Sequence, residues 1–283
     1  MECALYVVAT PIGNLRDISL RALDILTSSD TIAAEDTRNT SHLLNHFGIS
    51  ANRLVALHQH NERGAAEKII NLLRQGQSVA LVTDAGTPAI SDPGAVLTQA
   101  VLQSNFRVIP IPGASAVVAA LSASGLTAPH FLFYGFLPNK SAARQTVLQT
   151  LVEYPYTLAF YEAPHRILEC IADLQSVFGD EREIVLAREI TKLFENIHRC
   201  KLGEATTWLN SDPNNQRGEF VLLVAGEEAK PNGLSSENER ILSLLIEEVP
   251  LKQAVQLAVK ITGANKNEMY QRALVIKNKP NND

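Results

Sequence analysis

Cysteine is scarce in this sequence of 283 residues. Cys3, Cys170 and Cys200 lie far apart, and no pair of them has the C-x-x-C spacing of a metal site. Three distant cysteines predict neither a disulfide framework nor a zinc cluster. None of the seven histidines is spaced with carboxylates to complete a ligand set either. We therefore expect a protein of the reducing cytoplasm that holds no metal.

Targeting and membrane-spanning patterns are also missing. The first residues lack the basic and apolar regions of a secretory signal, so we expect them to be structural. One largely apolar segment without acids or bases lies between Arg107 and Lys140. Prolines and glycines break it into pieces shorter than a spanning helix, and we expect it to be buried interior rather than membrane. These residues are Pro110, Pro112, Gly113, Gly125 and Pro129.

Positive charge shows no overall excess, because the formal net charge is -5. This value argues against a uniformly basic surface for nucleic acid. Residues 229–283 nevertheless carry eight bases and six acids, whereas residues 1–228 carry seventeen bases and twenty-four acids. Six Lys or Arg lie between Lys252 and Lys279, against the single acid Glu268. Any RNA contact would therefore be local to this tail and to a few arginines.

The 46% of hydrophobic residues suits packed cores and excludes a disordered or collagen-like chain. Short apolar runs alternate with stretches of helical period, which predicts α/β domains with parallel or mixed sheets. Residues 1–115 form the first predicted domain and residues 116–228 the second. Their predicted strands are residues 5–9, 31–34, 54–57, 78–82 and 107–111, then 131–136, 157–161, 183–187 and 220–225, with residues 195–202 as an edge strand or hairpin arm.

Residues 229–283 begin as a polar linker and continue as a small helical module. The predicted helices are residues 237–248 and 251–262, with a third that starts near Asn267. The last two have helix-turn-helix spacing across residues 263–266. A solvated three-helix cap on the body is the competing interpretation.

Turn-rich loops follow several predicted strands. Residues 10–14 (TPIGN), 83–94 (TDAGTPAISDPG) and 112–116 (PGASA) combine glycine, proline and polar side chains at strand ends. Loops at the carboxyl ends of parallel strands form ligand clefts in open α/β sheets. Neither G-x-G-x-x-G nor G-x-x-x-x-G-K-[ST] occurs, so the two common nucleotide fingerprints are absent. A structural turn or a helix cap remains the alternative for each loop taken alone.

These loops, together with residues 35–38 (EDTR) and 187–189 (ARE), resemble the tetrapyrrole methylase superfamily over nearly the whole chain. The resemblance implies a two-domain, non-Rossmann α/β fold with S-adenosylmethionine bound between the domains, and a small helix-turn-helix-like module at the end. Within the superfamily the chain looks like the branch that methylates the ribose 2′-hydroxyl of a cytidine in the decoding region of 16S rRNA, within the small ribosomal subunit. The resemblance to the superfamily also implies a homodimer.

Methyl transfer from a sulfonium requires alignment of methyl and nucleophile, exclusion of water and, for a sugar hydroxyl, a proton acceptor. We expect the turn-rich loops and two positions of the second domain to hold the cofactor. The expected cofactor contacts are Pro11, Asp84, Ala85, Gly86, Thr87, Ile90, Ser115, Ala116, Tyr161 and Glu219.

Acids and bases at strand ends supply the candidates for proton transfer and RNA binding. The candidate bases are Asp36, Glu35 and Glu189. The candidate contacts to RNA phosphates are Arg38, Arg166, Arg188 and Lys192. The alternative is that Asp36 with Arg38, and Arg188 with Glu189, form structural ion pairs.

Two other functions fit parts of the sequence. The same fold would suit methylation of a tetrapyrrole carbon, which predicts an apolar acceptor cavity and leaves the basic tail without a role. A nucleic-acid-binding regulator would use the tail to bind DNA and the body to sense a nucleoside. The amount of loop chemistry in the body counts against such a passive sensor.

Overall fold

The computed structural model describes residues 1–58, 61–227 and 236–277. The chain divides into two compact units. The first comprises residues 1–152 and 156–225, and the second comprises residues 153–155 and the segment from 226 onward. Both sheets of the described chain belong to the first unit.

The first sheet is parallel and has the strand order β3-β2-β4-β1-β5. All four residues of β2 and of β4 are buried, as expected for central strands covered by helices on both faces. The carboxyl ends of the five strands therefore meet at one edge. The strands are β1 (Leu5–Val8), β2 (Thr31–Ala34), β3 (Leu54–Ala56), β4 (Val79–Val82) and β5 (Val108–Ile111).

Four helices cover this sheet, and side chains or glycine set their ends. Ser19 accepts a hydrogen bond from the Ala22 amide at the start of α1, and Asp36 accepts one from the Arg38 amide at the start of α2. Beyond the end of α3, Gly76 adopts a left-handed conformation with φ of 81°. The helices are α1 (Leu20–Ser28), α2 (Thr37–His46), α3 (Glu62–Arg74) and α4 (Ala95–Gln103).

The second sheet is mixed and has the order β6-β7-β10-β8-β9. Only β6 and β7 pair in parallel, and the predicted edge strand is confirmed as β9. Helices cover both faces, with α5 against one face and α6 to α8 against the other. The strands are β6 (Phe131–Phe136), β7 (Thr157–Glu162), β8 (Glu183–Arg188), β9 (Asn196–Lys201) and β10 (Phe220–Val224), and the helices are α5 (Ala116–Ala123), α6 (Ser141–Gln149), α7 (Ile167–Phe178) and α8 (Leu202–Ser211).

The described part of the second unit contains the helices α9 (Ser236–Glu248), α10 (Leu251–Thr262) and α11 (Lys266–Lys277), which confirms the predicted module. It has its own small core, formed by Leu242, Val255, Ala258, Met269 and Ala273. Gly263 ends α10 with φ of 70°.

The apolar segment between Arg107 and Lys140 divides into β5, α5 and β6, as its prolines and glycines predict. No helix in residues 1–58, 61–227 or 236–277 is long and apolar enough to span a membrane. The proposed boundary after residue 115 falls between β5 and α5, at the passage from one sheet to the other. The boundary after residue 228 lies outside the described residues, and the three-part division stays a prediction.

Candidate functional site

Three loops at the carboxyl edge of the first sheet are fastened to one another. Thr10, which follows β1, exchanges two backbone hydrogen bonds with Gly86 at 2.9 and 3.1 Å. Its hydroxyl also donates to the Thr83 carbonyl at 3.1 Å. The Thr87 hydroxyl donates to the Ala114 carbonyl at 3.1 Å and so joins the loop after β4 to the loop after β5. These hydrogen bonds hold the three loops together.

These loops and the second sheet enclose a cavity of about 290 Å³, which we call the cleft cavity. Apolar and polar groups share its wall. Eight of the ten expected cofactor contacts lie on it, namely Ala85, Gly86, Thr87, Ile90, Ser115, Ala116, Tyr161 and Glu219. The other lining residues are Ile12, Ser91, Asp92, Phe136, Glu162, Ala163, Pro164, Glu189, Ile190, Lys192, Phe220 and Val221.

A second cavity of about 460 Å³, the edge cavity, lies beside it. The remaining two expected cofactor contacts, Pro11 and Asp84, line this cavity. Four residues line both cavities, so the two spaces adjoin. These residues are Ile12, Ala85, Lys192 and Glu219. Helix α2 contributes Asn39, Thr40, His42, Leu43 and His46 to the wall of the edge cavity.

Asp84 connects the ends of β2 and β4. Its carboxylate accepts hydrogen bonds from the Asp36 amide at 3.2 Å and from the Asn39 side chain at 2.9 Å. Its own amide donates to Glu35 Oε2 at 3.3 Å. The pKa of Glu35 is raised, mainly because the side chain is partly buried. The hydrogen bond from the Asp84 amide lowers this pKa, whereas the nearby charges of Asp84 and Asp36 raise it.

The Asp36 side chain lines neither cavity and forms its contacts with helix α2. It caps α2 and forms an ion pair with Arg38, whose Nη2 lies 2.6 Å from Asp36 Oδ2. The hydrogen bonds from the Arg38 side chain and amide lower the pKa of Asp36 to about 2. Such a carboxylate is a weak proton acceptor at neutral pH. The predicted pair of Asp36 with Arg38 is therefore present as a structural ion pair.

Glu189, Lys192 and Glu219 form a charged group on the wall of the cleft cavity. Lys192 Nζ lies 2.9 Å from Glu189 Oε1 and 2.7 Å from Glu219 Oε2. The Glu219 amide donates to Glu189 Oε1 at 2.9 Å. Burial raises the pKa of Glu189, but the bonds from Lys192 and the Glu219 amide outweigh it, and the net direction is down. Glu189 is therefore held as an ionised, bonded carboxylate.

The side chains of Arg166 and Arg188 bind partners inside the protein. The Arg166 guanidinium lies 3.3 Å from Glu162 and donates to the Leu137 carbonyl at 2.8 Å. Arg188 is 8% exposed and donates to the Arg217 carbonyl at 3.2 Å. Contact with RNA phosphates would require each side chain to leave these partners. Arg38 and Lys192 are more exposed, with side chains 85% and 29% exposed, but each of them is also ion-paired, Arg38 with Asp36 and Lys192 with Glu189 and Glu219.

Asp92 lines the cleft cavity and has no role in the sequence-based assignment. Asp92 lies in the same loop as Asp84, near its far end, and the cavity wall includes it. Burial, with the charges of Glu35, Asp84 and Glu219, raises its pKa to about 7. Its position in the turn-rich loop was visible in the sequence, but its burial and charged surroundings were not.

Within the described ranges no group of three or more His, Cys, Asp or Glu side chains is placed to hold a metal ion. Each of the three cysteines is free.

Comparison with known families and structures identifies the fold. A profile described as Tetrapyrrole (Corrin/Porphyrin) Methylases matches residues 4–206. The solved structure of the methyltransferase CobJ superposes with a TM-score of 0.60 at 18% identity, over 81% of this chain and 97% of that one. Uroporphyrin-III C-methyltransferase from Thermus thermophilus, complexed with S-adenyl homocysteine, gives a TM-score of 0.54 at 15% identity, over 78% of this chain and 97% of that one. At these identities the likeness establishes the fold alone.

Sequence relatives are much closer. Ribosomal RNA small subunit methyltransferase I of Pseudomonas aeruginosa is 53% identical over 273 residues, which cover 95% of this chain and 96% of that protein. The protein of the same name from Escherichia coli O157:H7 is 49% identical over 270 residues, covering 95% of this chain and 94% of that protein. A profile described as RsmI C-terminal HTH domain matches residues 232–277. The chain therefore belongs to the tetrapyrrole methylase family and, within it, to the ribosomal RNA small subunit methyltransferase I family.

Proposed function

We propose that this protein transfers the methyl group of S-adenosylmethionine to the ribose 2′-hydroxyl of a cytidine in the decoding region of 16S rRNA, within the small ribosomal subunit. The observation that carries the proposal is membership of the ribosomal RNA small subunit methyltransferase I family over 95% of the chain. The cleft cavity and the exposed lysines of the helical module support it.

The lining of the cleft cavity suits the cofactor chemically. Ile12, Ile90 and Phe136 supply apolar surface, and the loop residues 85–87 supply backbone groups for polar contacts. Gly86 has φ of 82°, and a Cβ at this position would lie 3.3 Å from Ile12 Cγ2. The glycine therefore allows the loop after β4 to pack closely against Ile12 on the cavity wall. Asp92 and Glu219 add negative charge that suits a cationic sulfonium.

S-adenosylmethionine, when bound, supplies an activated methyl group on a positively charged sulfur. The residues of this chain then need to orient it, exclude water and accept a proton. We assign the first task to the loops after β1, β4 and β5, with Ser115 and Ala116 at the start of α5. Tyr161 on β7 and Glu219 before β10 would close the cavity from the second sheet.

The edge cavity is the proposed entry for the target nucleotide. It adjoins the cleft cavity and is lined by side chains that can stack on or hydrogen-bond to a base, including His42, His46 and Asn39. Lys192 lines both cavities, and Arg38 is exposed on the neighbouring helix α2. We assign contacts with RNA phosphates to these two cations.

The basic tail adds a further surface for RNA. Lys252, Lys260, Lys266 and Lys277 are exposed, whereas Arg272 is ion-paired with Glu239 at 2.7 Å. Lys279, which completes the six predicted cations, lies outside the described residues. The four exposed lysines lie on two helices with helix-turn-helix spacing. Such a basic surface suits contact with an RNA phosphate backbone better than contact with a tetrapyrrole.

A homodimer in the cytoplasm is part of the proposal. The segment between β8 and β9 carries two large apolar side chains that the monomer leaves in solvent, Leu193 at 90% and Phe194 at 67% exposure. Exposed apolar groups of this size are common at protein interfaces. Free cysteines suit the reducing cytoplasm, where the proposed acceptor is found.

Labelled S-adenosylmethionine tests the proposal when it is offered with four acceptors in parallel: 30S particles, naked 16S rRNA, DNA and uroporphyrinogen. We expect label in the 30S particles and none in the tetrapyrrole. Label in the tetrapyrrole alone would establish carbon methylation instead. Binding of DNA without transfer to any acceptor would favour the regulator.

A further inference from the structure

Lys140 is an exposed cation at the end of the turn between β6 and α6. In the part of the chain that the structure describes, its side chain makes no hydrogen bond or ion pair. Every other Lys or Arg of residues 116–225 binds a protein acceptor. These residues are Arg144, Arg166, Arg182, Arg188, Lys192, Arg199, Lys201 and Arg217. Among residues 116–225, Lys140 is therefore the cation that is free to bind a ligand.

The turn that carries Lys140 begins on the wall of the cleft cavity. Residues 137–140, which we call the rim turn, connect β6 to α6. Phe136, the last residue of β6, lines the cleft cavity and is 52% exposed. Glu162, at the end of the neighbouring strand β7, and Pro164 line the same cavity. The rim turn therefore lies beside the cleft cavity, on the side of the second sheet.

Arg166 fastens the rim turn to this wall. Its Nη2 donates to the Leu137 carbonyl at 2.8 Å and to the Pro138 carbonyl at 3.2 Å. Its Nη1 donates to Asn139 Oδ1. The buried Glu162 carboxylate lies 3.3 Å from Arg166 Nε. A planar guanidinium with partners on several nitrogens keeps a fixed orientation, and it fixes the turn with it.

Arg144 holds the rim turn from the protein interior. Its side chain is 0% exposed, and its Nη1 donates to the Pro138 carbonyl at 3.3 Å and to the Asn139 carbonyl at 3.4 Å. Asp173 accepts a hydrogen bond from Arg144 Nε at 2.6 Å and another from the Ser141 hydroxyl at 2.8 Å. Burial of charged groups costs free energy, and a turn that only linked a strand to a helix would not require it.

Lys140 also stands at the start of helix α6. It is the N-cap residue, and its side chain makes no cap hydrogen bond. The first turn of a helix presents amide donors and a partial positive charge, which favour an anion. The free ammonium group and the helix start therefore attract a ligand of the same charge.

We propose that Lys140 binds a backbone phosphate of the rRNA strand that reaches the cleft cavity, and that Arg144 and Arg166 are positioning residues for it. This inference rests on the proposed function. Lys140 Nζ would donate a charged hydrogen bond to a phosphate oxygen. Arg38 lies on the side of the first sheet, so the strand would be held on both sides of the cleft cavity.

The test compares Lys140→Gln with the wild type on 30S particles. Loss of a charged hydrogen bond predicts a rise in KM for 30S particles of about tenfold. The slope of log affinity against log salt should fall by about 0.7 to 0.9. We expect kcat at saturating 30S particles and the dissociation constant for S-adenosylmethionine, measured by calorimetry without RNA, to stay at the wild-type values. An unchanged dissociation constant also shows that the variant is folded.

Two further variants control for the charge itself. Lys140→Arg keeps a cation at this position and should retain the wild-type KM and salt slope. Lys68→Gln removes another exposed lysine, in α3, and should change neither quantity.

A double-mutant cycle tests the positioning role of Arg166. Arg166→Gln alone should raise KM for 30S particles, because the rim turn loses its fixed orientation. In the Lys140→Gln background the same change should add little to KM, since the phosphate contact is already lost. A merely structural role would change KM equally in both backgrounds. Where Arg166→Gln does not fold, Asn139→Ala takes its place, because it removes one exposed acceptor of the guanidinium.

Three results would overturn the inference. The first is a Lys140→Gln variant with the wild-type KM and salt slope. The second is a loss of activity fully accounted for by weaker cofactor binding, which would make Lys140 a ligand of the cofactor. The third is an equal effect of Arg166→Gln in both backgrounds, which would remove the positioning role. If the wild-type protein transfers no methyl to any acceptor, the proposed function itself fails, whereas the salt dependence of binding to 30S particles still tests Lys140.

Discussion

Lys192 Nζ lies 2.7 Å from Glu219 Oε2, and both residues line the cleft cavity and the edge cavity. The same nitrogen holds Glu189 at 2.9 Å. A single cation thus bridges two carboxylates where the two cavities adjoin. The methyl donor and the target nucleotide of the proposed reaction would meet beside this group.

Replacing Lys192 tests the importance of the group. In Lys192→Met, Glu189 and Glu219 lose their shared cation and would repel each other. The loss of a charged hydrogen bond is worth about 1.5 to 3 kcal/mol, and we expect methyl transfer to 30S particles to fall by about tenfold or more. Lys201→Met is the matched control, because Lys201 is ion-paired with the exposed Glu181, away from both cavities. Equal activity of the two variants would contradict the assignment.

Close packing of the loop after β5 gives a second prediction. A Cβ at Gly113 would lie 2.8 Å from Ala9 Cβ, so Gly113→Ala must displace either the loop or β1. We expect a loss of about 1 to 3 kcal/mol in the free energy of unfolding, measured by urea denaturation, together with weaker cofactor binding.

Gly64→Ala is the control for Gly113→Ala. Gly64 lies in α3, and a Cβ there would have no neighbour within 4 Å. Alanine favours helix over glycine by up to about 1 kcal/mol, so this variant should be as stable as the wild type or more stable. A Gly113→Ala protein of wild-type stability would show that the loop tolerates the added methyl.

The buried pair of Arg144 and Asp173 predicts a pH-dependent stability. The two side chains lie 2.6 Å apart and are 0% and 8% exposed. Burial raises the pKa of Asp173, but hydrogen bonds from Gln145, Ser141 and Arg144 lower it more strongly. Asp173→Asn breaks the pair and should cost about 3 kcal/mol of unfolding free energy at pH 7.

The sign of this pH effect follows from the lowered pKa. The ionised carboxylate stabilises the fold above the pKa of the unfolded chain, which is about 3.9, and this contribution disappears as the pH falls through the lower folded-state value. The difference between wild type and variant should therefore be constant above about pH 5 and shrink below about pH 4. Glu183→Gln, in the half-exposed pair with Arg199, should cost less than about 1 kcal/mol. A difference that grows on acidification would refute the argument.

The exposed lysines of the tail predict a salt-dependent affinity for rRNA. Each contact with a phosphate contributes about 0.7 to 0.9 to the slope of log affinity against log salt. Lys260→Gln with Lys266→Gln should lower this slope by about 1.4 to 1.8 and leave cofactor binding unchanged. Lys68→Gln removes an exposed lysine of α3 and should not change the slope. An unaltered slope in the tail variant would favour the solvated cap.

The molar mass of the protein in solution tests the proposed dimer. Leu193→Ser with Phe194→Ser removes the most exposed apolar pair of the segment after β8. We expect light scattering to show two chains per particle for the wild type and one for the variant. A wild-type monomer at micromolar concentration would contradict the dimer.

Much of the architecture was predictable from local patterns. Buried strands such as β2 and β4 consist of apolar residues between turn signals, so their bounds were predicted to within one residue. The position of the site was predictable for a related reason, since loops that follow parallel strands meet at one edge. Eight expected cofactor contacts accordingly surround a single cavity, although their role in binding stays a prediction.

The individual roles of charged residues were not predictable in the same way. Arg166 and Arg188 stand at or near strand ends, where charged side chains are usually solvated, yet tertiary packing buries them among internal acceptors. The sequence does not show that Asp92 is partly buried or that it has no partner among the described residues. Both properties depend on residues far away in the sequence, such as Glu35, Glu219 and Gly135.

The position of the transferred methyl group tests the central claim most directly. The wild-type protein is incubated with methyl-labelled S-adenosylmethionine and 30S particles, and the recovered 16S rRNA is hydrolysed with alkali. A 2′-O-methyl group blocks cleavage at its own nucleotide, so we predict that the label remains in an alkali-resistant dinucleotide that begins with 2′-O-methylcytidine. Label on a base, or in mononucleotides alone, would contradict ribose methylation by this protein.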